Sequence, residues 1–285
     1  MSWPVSVTSL GSLETGSLLW TQRGALQVTV VLRTTYTLAA GPPSPLPADA
    51  VDGEDRHYGD DPARAVRTAA DLAPRVPLAE IVHAGAVVAP AGVTVVRLAL
   101  SRQGRSILDK RAVASAINDS PGLGPLGRWS AERLAVLRGE PEPLMGADGV
   151  LALPDDYDFG FHQCAPPDQR CDRLAGGDQI LLANLHPDLA EVVVSLPTRA
   201  PAARAILGGE EAPLVVECKR VLLDTDRRRL TLTWYAELEL PSLEAVPHLR
   251  IEARAPDAPA PQAAPAFDAR QLLRKIAETP EGHGR

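Results

Sequence analysis

The chain has 285 residues, of which 45% are hydrophobic and 23% are charged, an ordinary composition for a soluble globular protein. A chain of this length hides enough apolar surface to fold without disulfides or a structural metal. Its net charge of −7 provides no basic footprint, so we expect no nucleic-acid partner. The 27 prolines indicate many loops and argue against an all-helical bundle.

Cysteine usage and the N-terminus indicate the compartment. Three cysteines are too few for a disulfide framework and favour a reducing environment. The first residues, Met1 to Pro4, lack the basic and apolar regions of a secretory signal. The most apolar long window, 81–100, contains His83 and Arg97, so it is not expected to cross a membrane. We therefore predict a cytoplasmic protein with no membrane segment.

Alternation of apolar and polar residues is the main structural signal. Residues 26–38 place their apolar side chains mostly at even positions, which predicts a half-buried strand. Its length of about 13 residues predicts a bulge or a bend. Residues 214–223 and 230–240 are a second strand pair, joined by a hairpin connection that starts at Asp224. Weaker strands are predicted at 84–88, 93–101, 179–185 and 191–196.

Helical signals are few. One helical turn is predicted at 61–67, where Asp61 is the cap and Pro62 follows it, and a helix is predicted at 130–137. The fold class is therefore mainly β, an antiparallel sandwich or barrel-like core with few short helices and a C-terminal helix on a linker.

The chain divides into one large and two small units. Residues 1–254 form a β-rich domain, with two packed subdomains split near 115–150 as the alternative. Within it, 41–61 is a long, unpacked loop. Residues 255–267 are a Pro/Ala-rich linker, and 268–285 carry a short helix and tail that dock on their own domain or on a partner.

An acidic turn is the first candidate site. Asp155, Asp156 and Asp158 surround Tyr157, and the favoured interpretation is a turn whose aspartates cap backbone amides. A calcium site and a catalytic acid–base pair are the alternatives. A calcium loop would need a glycine turn and a distal Glu, which are missing.

Three residues that follow are a candidate metal set or nucleophile. His162, Cys164 and Cys171 allow a zinc site, a Cys–His pair or a Cys164–Cys171 disulfide, none of which has the usual spacing or compartment. The glycine-rich run 122–127 contains Pro125 and lacks a preceding strand, so it is a turn and not a dinucleotide site. We predict no catalytic residues, no metal and no cofactor.

Two aromatic features are open to more than one interpretation. Trp129 follows the glycine-rich run and either anchors that loop or contributes to a partner surface. Tyr157, Phe159 and Phe161 share one face if their segment is extended, so they are either core or a binding ridge.

Several short motifs resemble a known family. Leu-Pro-Asp-Asp-Tyr-Asp at 153–158, Ala-Pro-Pro-Asp-Gln-Arg at 165–170 and Leu-Ala-Gly-Gly-Asp-Gln at 174–179 are similar to the bacterial family catalogued as domain of unknown function 2169. The resemblance spans residues 20–240. It includes further motifs at 24–38, 71–80, 182–187, 195–197 and 224–226, and Trp234. Arg33, Tyr36 and Glu80 stand where that family usually has lysine, phenylalanine and aspartate.

The resemblance implies a function without catalysis. Members often accompany type VI secretion genes and are regarded as adaptors or chaperones that load effectors onto the secretion spike. The family has no established catalytic residues, so none is transferred. The resemblance implies a secreted effector or a spike component as partner. Our hypothesis for binding is surface complementarity, in which a rigid β core presents the loops at 155–158 and 165–170, with 41–61 as a further candidate, to that partner. The predicted partner-binding residues are Asp155, Asp156, Tyr157, Pro166, Asp168, Gln169, Arg170 and Trp129.

Two other functions remain as alternatives. One is a β-sandwich carbohydrate-binding module or hydrolase that uses the acidic turn at 155–158. The other is a scaffolding domain whose C-terminal helix is its interacting part.

Overall fold

A computed structural model describes residues 5–57, 61, 66–85, 94–114, 144–146 and 149–256. Within these ranges the chain is mainly β, as predicted, and its helical structure consists of short 3₁₀ turns at Phe159–His162, Pro167–Gln169 and Leu243–His248. No helix in the described ranges has the length and apolar character to cross a bilayer. The predicted helices at 130–137 and 268–285, and most of the predicted subdomain boundary, lie outside these ranges.

Short and long strands alternate along the chain. In chain order they are β1 (Ser6–Leu10), β2 (Glu14–Gln22), β3 (Ala25–Thr37), β4 (Pro45–Leu46), β5 (Arg56–His57), β6 (Val66–Thr68), β7 (Ala79–Ala84), β8 (Thr94–Arg102), β9 (Arg105–Ala114), β10 (Leu144–Met145), β11 (Val150–Ala152), β12 (Arg170–Cys171), β13 (Gln179–Ala183), β14 (Glu191–Ser195), β15 (Ala202–Leu207), β16 (Glu210–Leu214), β17 (Glu217–Asp224), β18 (Arg229–Leu240) and β19 (Leu249–Arg254).

One large sheet organises the molecule. Its strand order is β10-β11-β2-β3-β18-β17-β7-β12, with β4 beside β3. The two longest strands, β3 and β18, pair antiparallel from Leu26 opposite Leu240 to Thr37 opposite Arg229. The period-two runs at 26–38 and 230–240 therefore form strands, as predicted, because one face of each is apolar.

The irregularity in this sheet lies in a different strand from the predicted one. The register of β3 is continuous with both neighbours, so the bulge expected there is absent. The register instead shifts in β17 between Cys218 and Arg220. Without that shift Cys218 and Arg220 would face the same side, since side chains alternate along a strand. The bulge leaves Cys218 with Val221 in the apolar core and places Arg220 on the opposite face.

Two four-stranded sheets pack against the apolar face of the large sheet. Their orders are β1-β19-β15-β16 and β14-β13-β8-β9. A single cluster of buried side chains joins all three sheets. It includes Val28 and Val30 from β3, Ile180 from β13 and Ile251 from β19, each 0% exposed. The result is a sandwich-like core that the alternation pattern predicted.

Several details differ from the expected antiparallel arrangement. The sheets are mixed, because β1–β19, β2–β11 and β7–β17 pair in parallel. In the described ranges no sheet closes into a barrel.

Three segments also have other boundaries than predicted. A strand at Ala79–Ala84 precedes most of the one expected at 84–88, of which residues 86–88 lie outside the described ranges. The expected helical turn at 61–67 overlaps a strand, Val66–Thr68. The segment 41–61 was expected to be unpacked, but its residues 45–46 pair with β3 and Val51 packs against the large sheet.

A buried histidine joins β7 to the hairpin turn after β17. His83 is 1% exposed, and its Nε2 lies 3.1 Å from the Thr225 hydroxyl. Thr225 also donates its backbone N–H to the Ala84 carbonyl at 2.9 Å. Gly85 has a φ of +129° and approaches Thr225 so closely that a Cβ would lie 2.2 Å from the hydroxyl, so the position requires glycine. Burial lowers the pKa of His83 to about 4.

Two neighbouring leucines of β13 test the sandwich core. Leu182 is 0% exposed between Leu98 and Val192, whereas Leu181 points to the outer, half-exposed face. We expect Leu182→Ala to lower the free energy of unfolding by about 2–5 kcal/mol. Leu181→Ala, the matched control, should lower it by about 1 kcal/mol or less. Urea denaturation measures both, and equal losses would show that this sheet does not cover the large one.

The His83 environment gives stability a defined pH dependence. The unfolded chain binds a proton at the ordinary histidine pKa of 6.5, whereas the folded chain does not bind it until about pH 4. Stability from this group is therefore complete above pH 6.5 and falls as the pH drops towards 4. The loss amounts to ~3 kcal/mol at about 1.4 kcal/mol per pKa unit. When the free energy of unfolding is measured by denaturation from pH 7 to 4, the His83→Gln variant should lose ~3 kcal/mol less than the unaltered chain. An unchanged slope would contradict the assignment.

Candidate partner-binding surface at residues 153–170

A buried ion pair links two parallel strands on the second face of the large sheet. Arg220 of β17 lies opposite Glu80 of β7, and its Nε donates to Glu80 Oε1 at 2.7 Å. Glu80 is 0% exposed and Arg220 is 5% exposed. Charges removed from water to this extent are tolerated only when they are paired and hydrogen-bonded. The guanidinium accordingly also donates to the carbonyls of Ala70 and His162, each at 3.0 Å.

The second oxygen of Glu80 holds the segment that follows the acidic turn. Glu80 Oε2 accepts the backbone N–H groups of Cys164 and Ala165, each at 2.9 Å. Two glutamines attach the same segment along β7. The Gln163 side chain donates to the Leu78 carbonyl at 3.0 Å, and the Gln169 side chain donates to the Ile81 carbonyl at 2.7 Å. Side chains of residues 163–169 thereby reach the backbone of β7 and of Leu78, the residue before it, and fix the segment there.

A second buried arginine fixes two further loops on this face. Arg33 Nη1 donates to Asp71 at 2.7 Å, to Asp52 at 3.0 Å and to the Ala50 carbonyl at 2.7 Å. Asp71 lies 3.6 Å from Arg220 Nη1, which connects the two arginines. We call Arg33, Asp52, Asp71, Glu80 and Arg220 the buried charge network. It holds the 50–52 and 69–71 loops against the sheet.

The pKa values of two buried groups on this face, Tyr235 and Arg220, are raised. Burial raises the pKa of the Tyr235 phenol, so it remains a donor, and it donates to the Asp71 carbonyl at 2.8 Å. Burial alone would lower the pKa of Arg220, but electrostatic attraction to neighbouring groups, among them the carboxylates of Glu80 and Asp71, outweighs it and raises that pKa well above its usual value. At neutral pH the Arg220 guanidinium is therefore charged and the Tyr235 phenol is an uncharged donor.

Aromatic side chains cluster beside this fixed segment. Phe159 packs edge-on against the buried Trp20, with ring centroids 5.5 Å apart. Tyr157 packs against Phe159 at 5.5 Å and against Phe161 at 6.3 Å, and its hydroxyl lies 2.8 Å from His162 Nε2. Tyr157, Phe159, Phe161 and His162 are half-buried, and we call them the aromatic patch. The rings fall between the two predicted roles, core and binding ridge, because each ring is partly packed and partly exposed.

An arginine completes the base of the patch. The Arg75 guanidinium lies 5.1 Å from the Phe159 ring centre and 5.7 Å from that of Trp20. It also donates to both carboxylate oxygens of Glu237, with Nε at 2.9 Å and Nη2 at 2.6 Å from Oε2. The guanidinium is thus fixed by charge and by stacking, which favours one orientation of the Phe159 ring.

The acidic turn forms the rim of the patch. Asp158 accepts the Gly160 N–H at 2.8 Å and caps the 3₁₀ turn Phe159–His162, as the capping interpretation predicted for this aspartate. The side chains of Asp155 and Asp156 are exposed. The Asp155 carbonyl accepts two hydrogen bonds from Arg23, at 2.9 and 3.2 Å. The turn is therefore attached through its backbone and leaves two carboxylates on the surface.

The other predicted partner-binding residues have different surroundings. The side chain of Asp168 is 60% exposed and pairs with Lys110 at 2.7 Å. Pro166 and Gln169 are buried and hold the segment in place. Arg170 is half-buried and donates to the Ala165 carbonyl at 2.8 Å. Trp129 lies outside the described residues. The structure brings Tyr157 and the two exposed aspartates to one surface, with Asp168 further along the same segment.

Two of the cysteines, Cys164 and Cys218, are buried, and Cys171 is half-buried. Cys164, Cys171 and Cys218 are free thiols. Burial raises the pKa of Cys171 and of Cys218, which disfavours the thiolate that metal binding or nucleophilic attack needs. Across the described part of the chain, no three His, Cys, Asp or Glu side chains are grouped to hold a metal ion.

Sequence reasoning missed the residues that position the surface. Arg33, Asp71, Arg75, Glu80 and Arg220 were not singled out as contributors to a site. The available signal was a charged residue inside a strand-like apolar run, as for Glu80 before Ile81 and Val82, and for Arg220 before Val221. Such residues require buried partners if the strand is covered on both faces.

Comparison with known proteins gives one family match. The model of the family described as "Uncharacterized protein conserved in bacteria (DUF2169)" matches residues 105–235. This match supports the resemblance of the chain to the DUF2169 family. It includes the 153–170 segment and Arg220, and it is shorter than the 20–240 span of the motif resemblance. Searches of curated proteins and of solved structures returned no match.

Removing one charge from the Glu80–Arg220 pair tests the network. Glu80→Gln leaves Arg220 buried without its closest carboxylate, so we expect the free energy of unfolding to fall by about 3 kcal/mol or more. Hydrogen exchange of the Cys164 and Ala165 amides should accelerate, because their acceptor loses its charge. The matched control is Asp168→Asn, which breaks the exposed pair with Lys110 and should cost less than about 1 kcal/mol. Similar losses for both variants would contradict a structural role of the buried pair.

Proposed function

We propose that this chain is a cytoplasmic, non-enzymatic adaptor or chaperone that binds a secreted effector and helps to load it onto a type VI secretion spike. Support comes from the motif resemblance and from the match at 105–235, which agrees with that resemblance and carries no activity. The structural observation that carries the proposal is the aromatic patch, half-exposed and rimmed by Asp155 and Asp156, on a segment fixed by the buried charge network.

The chemistry of this surface suits a protein partner. Tyr, Phe and Arg are enriched at the centres of protein interfaces, and exposed charges at the rim influence association rate and specificity. The rings are held by Trp20, Arg75 and the capped turn, so little ordering is required on binding. A partner of this surface would present an apolar centre surrounded by basic groups that complement Asp155 and Asp156.

The hydrolase alternative receives no support from the acidic turn. Asp158 caps a backbone amide, and Asp155 and Asp156 are exposed. None of the three lines the groove of about 540 Å³ that lies between the 41–45 loop and the 195–199 turn. Paired carboxylates in a glycoside hydrolase face one another across a substrate cleft, and this turn does not supply that arrangement.

Co-expression with the products of neighbouring genes tests the proposal. Affinity capture followed by size-exclusion chromatography should give a stoichiometric complex with an effector or a spike component. Phe161→Ala should weaken that complex by about tenfold or more, as expected for an aromatic side chain at an interface centre. Asp155→Lys with Asp156→Lys should mainly slow association, because it reverses the charge of the rim.

A charge reversal elsewhere provides the control. Glu191→Lys changes an exposed glutamate on β14, outside the aromatic patch, and should leave binding unchanged. Full-strength binding by the patch variants would exclude this surface. A folded monomer that binds none of the neighbouring gene products would contradict the adaptor function and favour a glycan ligand.

A further inference from the structure

A groove of about 540 Å³ lies apart from the aromatic patch. It runs between the 41–45 loop and the 195–199 turn. No residue of the aromatic patch or of the buried charge network lines it. Its lining includes five prolines and one tyrosine, together with Arg199 and several serine and threonine residues. The prolines are Pro42, Pro43, Pro45, Pro197 and Pro256, and the tyrosine is Tyr36. The aromatic patch, on which the proposed function rests, does not include this groove.

Backbone contacts fix both walls of the groove. On one side, Pro45 pairs with Tyr36 of β3, and Gly41 forms a parallel bridge with Val194. On the other side, Leu196 donates to the Asp178 carbonyl at 2.7 Å. Gly176 packs so closely on the Pro197–Thr198 backbone that a Cβ would lie 2.8 Å from it. The groove is therefore preformed, which lowers the cost of filling it.

The last described residue of the chain lies at this groove. The described residues end at Pro256, which is part of the groove wall. The sequence continues Asp-Ala-Pro-Ala-Pro-Gln-Ala-Ala-Pro-Ala at 257–266. Asp257 follows the wall directly, and Arg199 of opposite charge lines the groove. We propose that residues 257–266 occupy the groove as an extended, proline-containing segment of the same chain.

Two physical effects favour this occupant. Proline fixes φ near −65°, so a segment with prolines at 259, 261 and 265 loses less entropy on docking in an extended form than a segment without proline. Proline-rich segments are recognised by grooves with exposed aromatic and apolar walls. The covalent connection through Pro256 also gives the segment an effective concentration in the millimolar range, so even weak contacts keep it bound. Docking of this segment does not depend on the adaptor function.

Disulfide trapping in the full-length chain tests this proposal. Thr198 is exposed and lines the groove, and Ala260 lies within the segment. With Thr198→Cys and Ala260→Cys, mild oxidation should form an intramolecular disulfide, measured by mass spectrometry of the linked peptides. The matched control adds Pro259→Gly and Pro261→Gly, which keep the tether length but remove the fixed backbone. We expect trapping to be about tenfold slower in this glycine variant, because its segment is tethered but not held.

Two outcomes would overturn the proposal. Equal or faster trapping in the glycine variant would show that proximity alone brings the segment to Thr198. Disulfide-linked dimers in place of intramolecular products would assign the groove to a second copy of the chain. Neither result depends on an effector, so failure of this proposal is distinct from failure of the adaptor function.

Discussion

The pair formed by Glu80 and Arg220 determines how the second face of the large sheet is covered. Both charges are removed from water, and the penalty for burying each is several kcal/mol unless its hydrogen bonds are satisfied. Those bonds reach beyond the sheet, to the amides of Cys164 and Ala165 and to the carbonyls of Ala70 and His162. The position of the 163–169 segment, and of the aromatic patch before it, follows from satisfying this one pair.

The bulge in β17 makes this arrangement possible. It lets Cys218 and Val221 join the apolar core while Arg220 faces the opposite side. The large sheet thereby has two chemically different faces. One packs by apolar contact against the two smaller sheets, where many side-chain combinations of similar volume would be stable. The other is fixed by directional bonds to Arg33 and Arg220, which specify individual loops and so define a surface.

The sequence predicts the strands of this fold better than its surface. Alternation at 26–38 and 230–240 shows which side chains share a face, because the side-chain period of a strand is fixed. It does not show what covers each face. Arg33 occupies a polar position in an alternating run, which is compatible with solvent, and its burial depends on Asp52 and Asp71, distant in sequence. The aromatic residues 157–161 were expected to cluster if extended, but they cluster through a 3₁₀ turn capped by Asp158.

The extent of the family match also bears on which part of the chain carries the surface. The matched residues 105–235 include the aromatic patch and Arg220, but Arg33, Asp52, Asp71 and Glu80 precede them. The central strand β18 likewise pairs with β3, which lies outside the match. In a protein made of residues 105–235 alone, Arg220 would lack the carboxylates of Asp71 and Glu80 with which it pairs. Gln163 and Gln169 would also lack the backbone carbonyls of Leu78 and Ile81 to which they donate. The surface is therefore a property of the described β-structure as a whole, and residues before the match determine its shape.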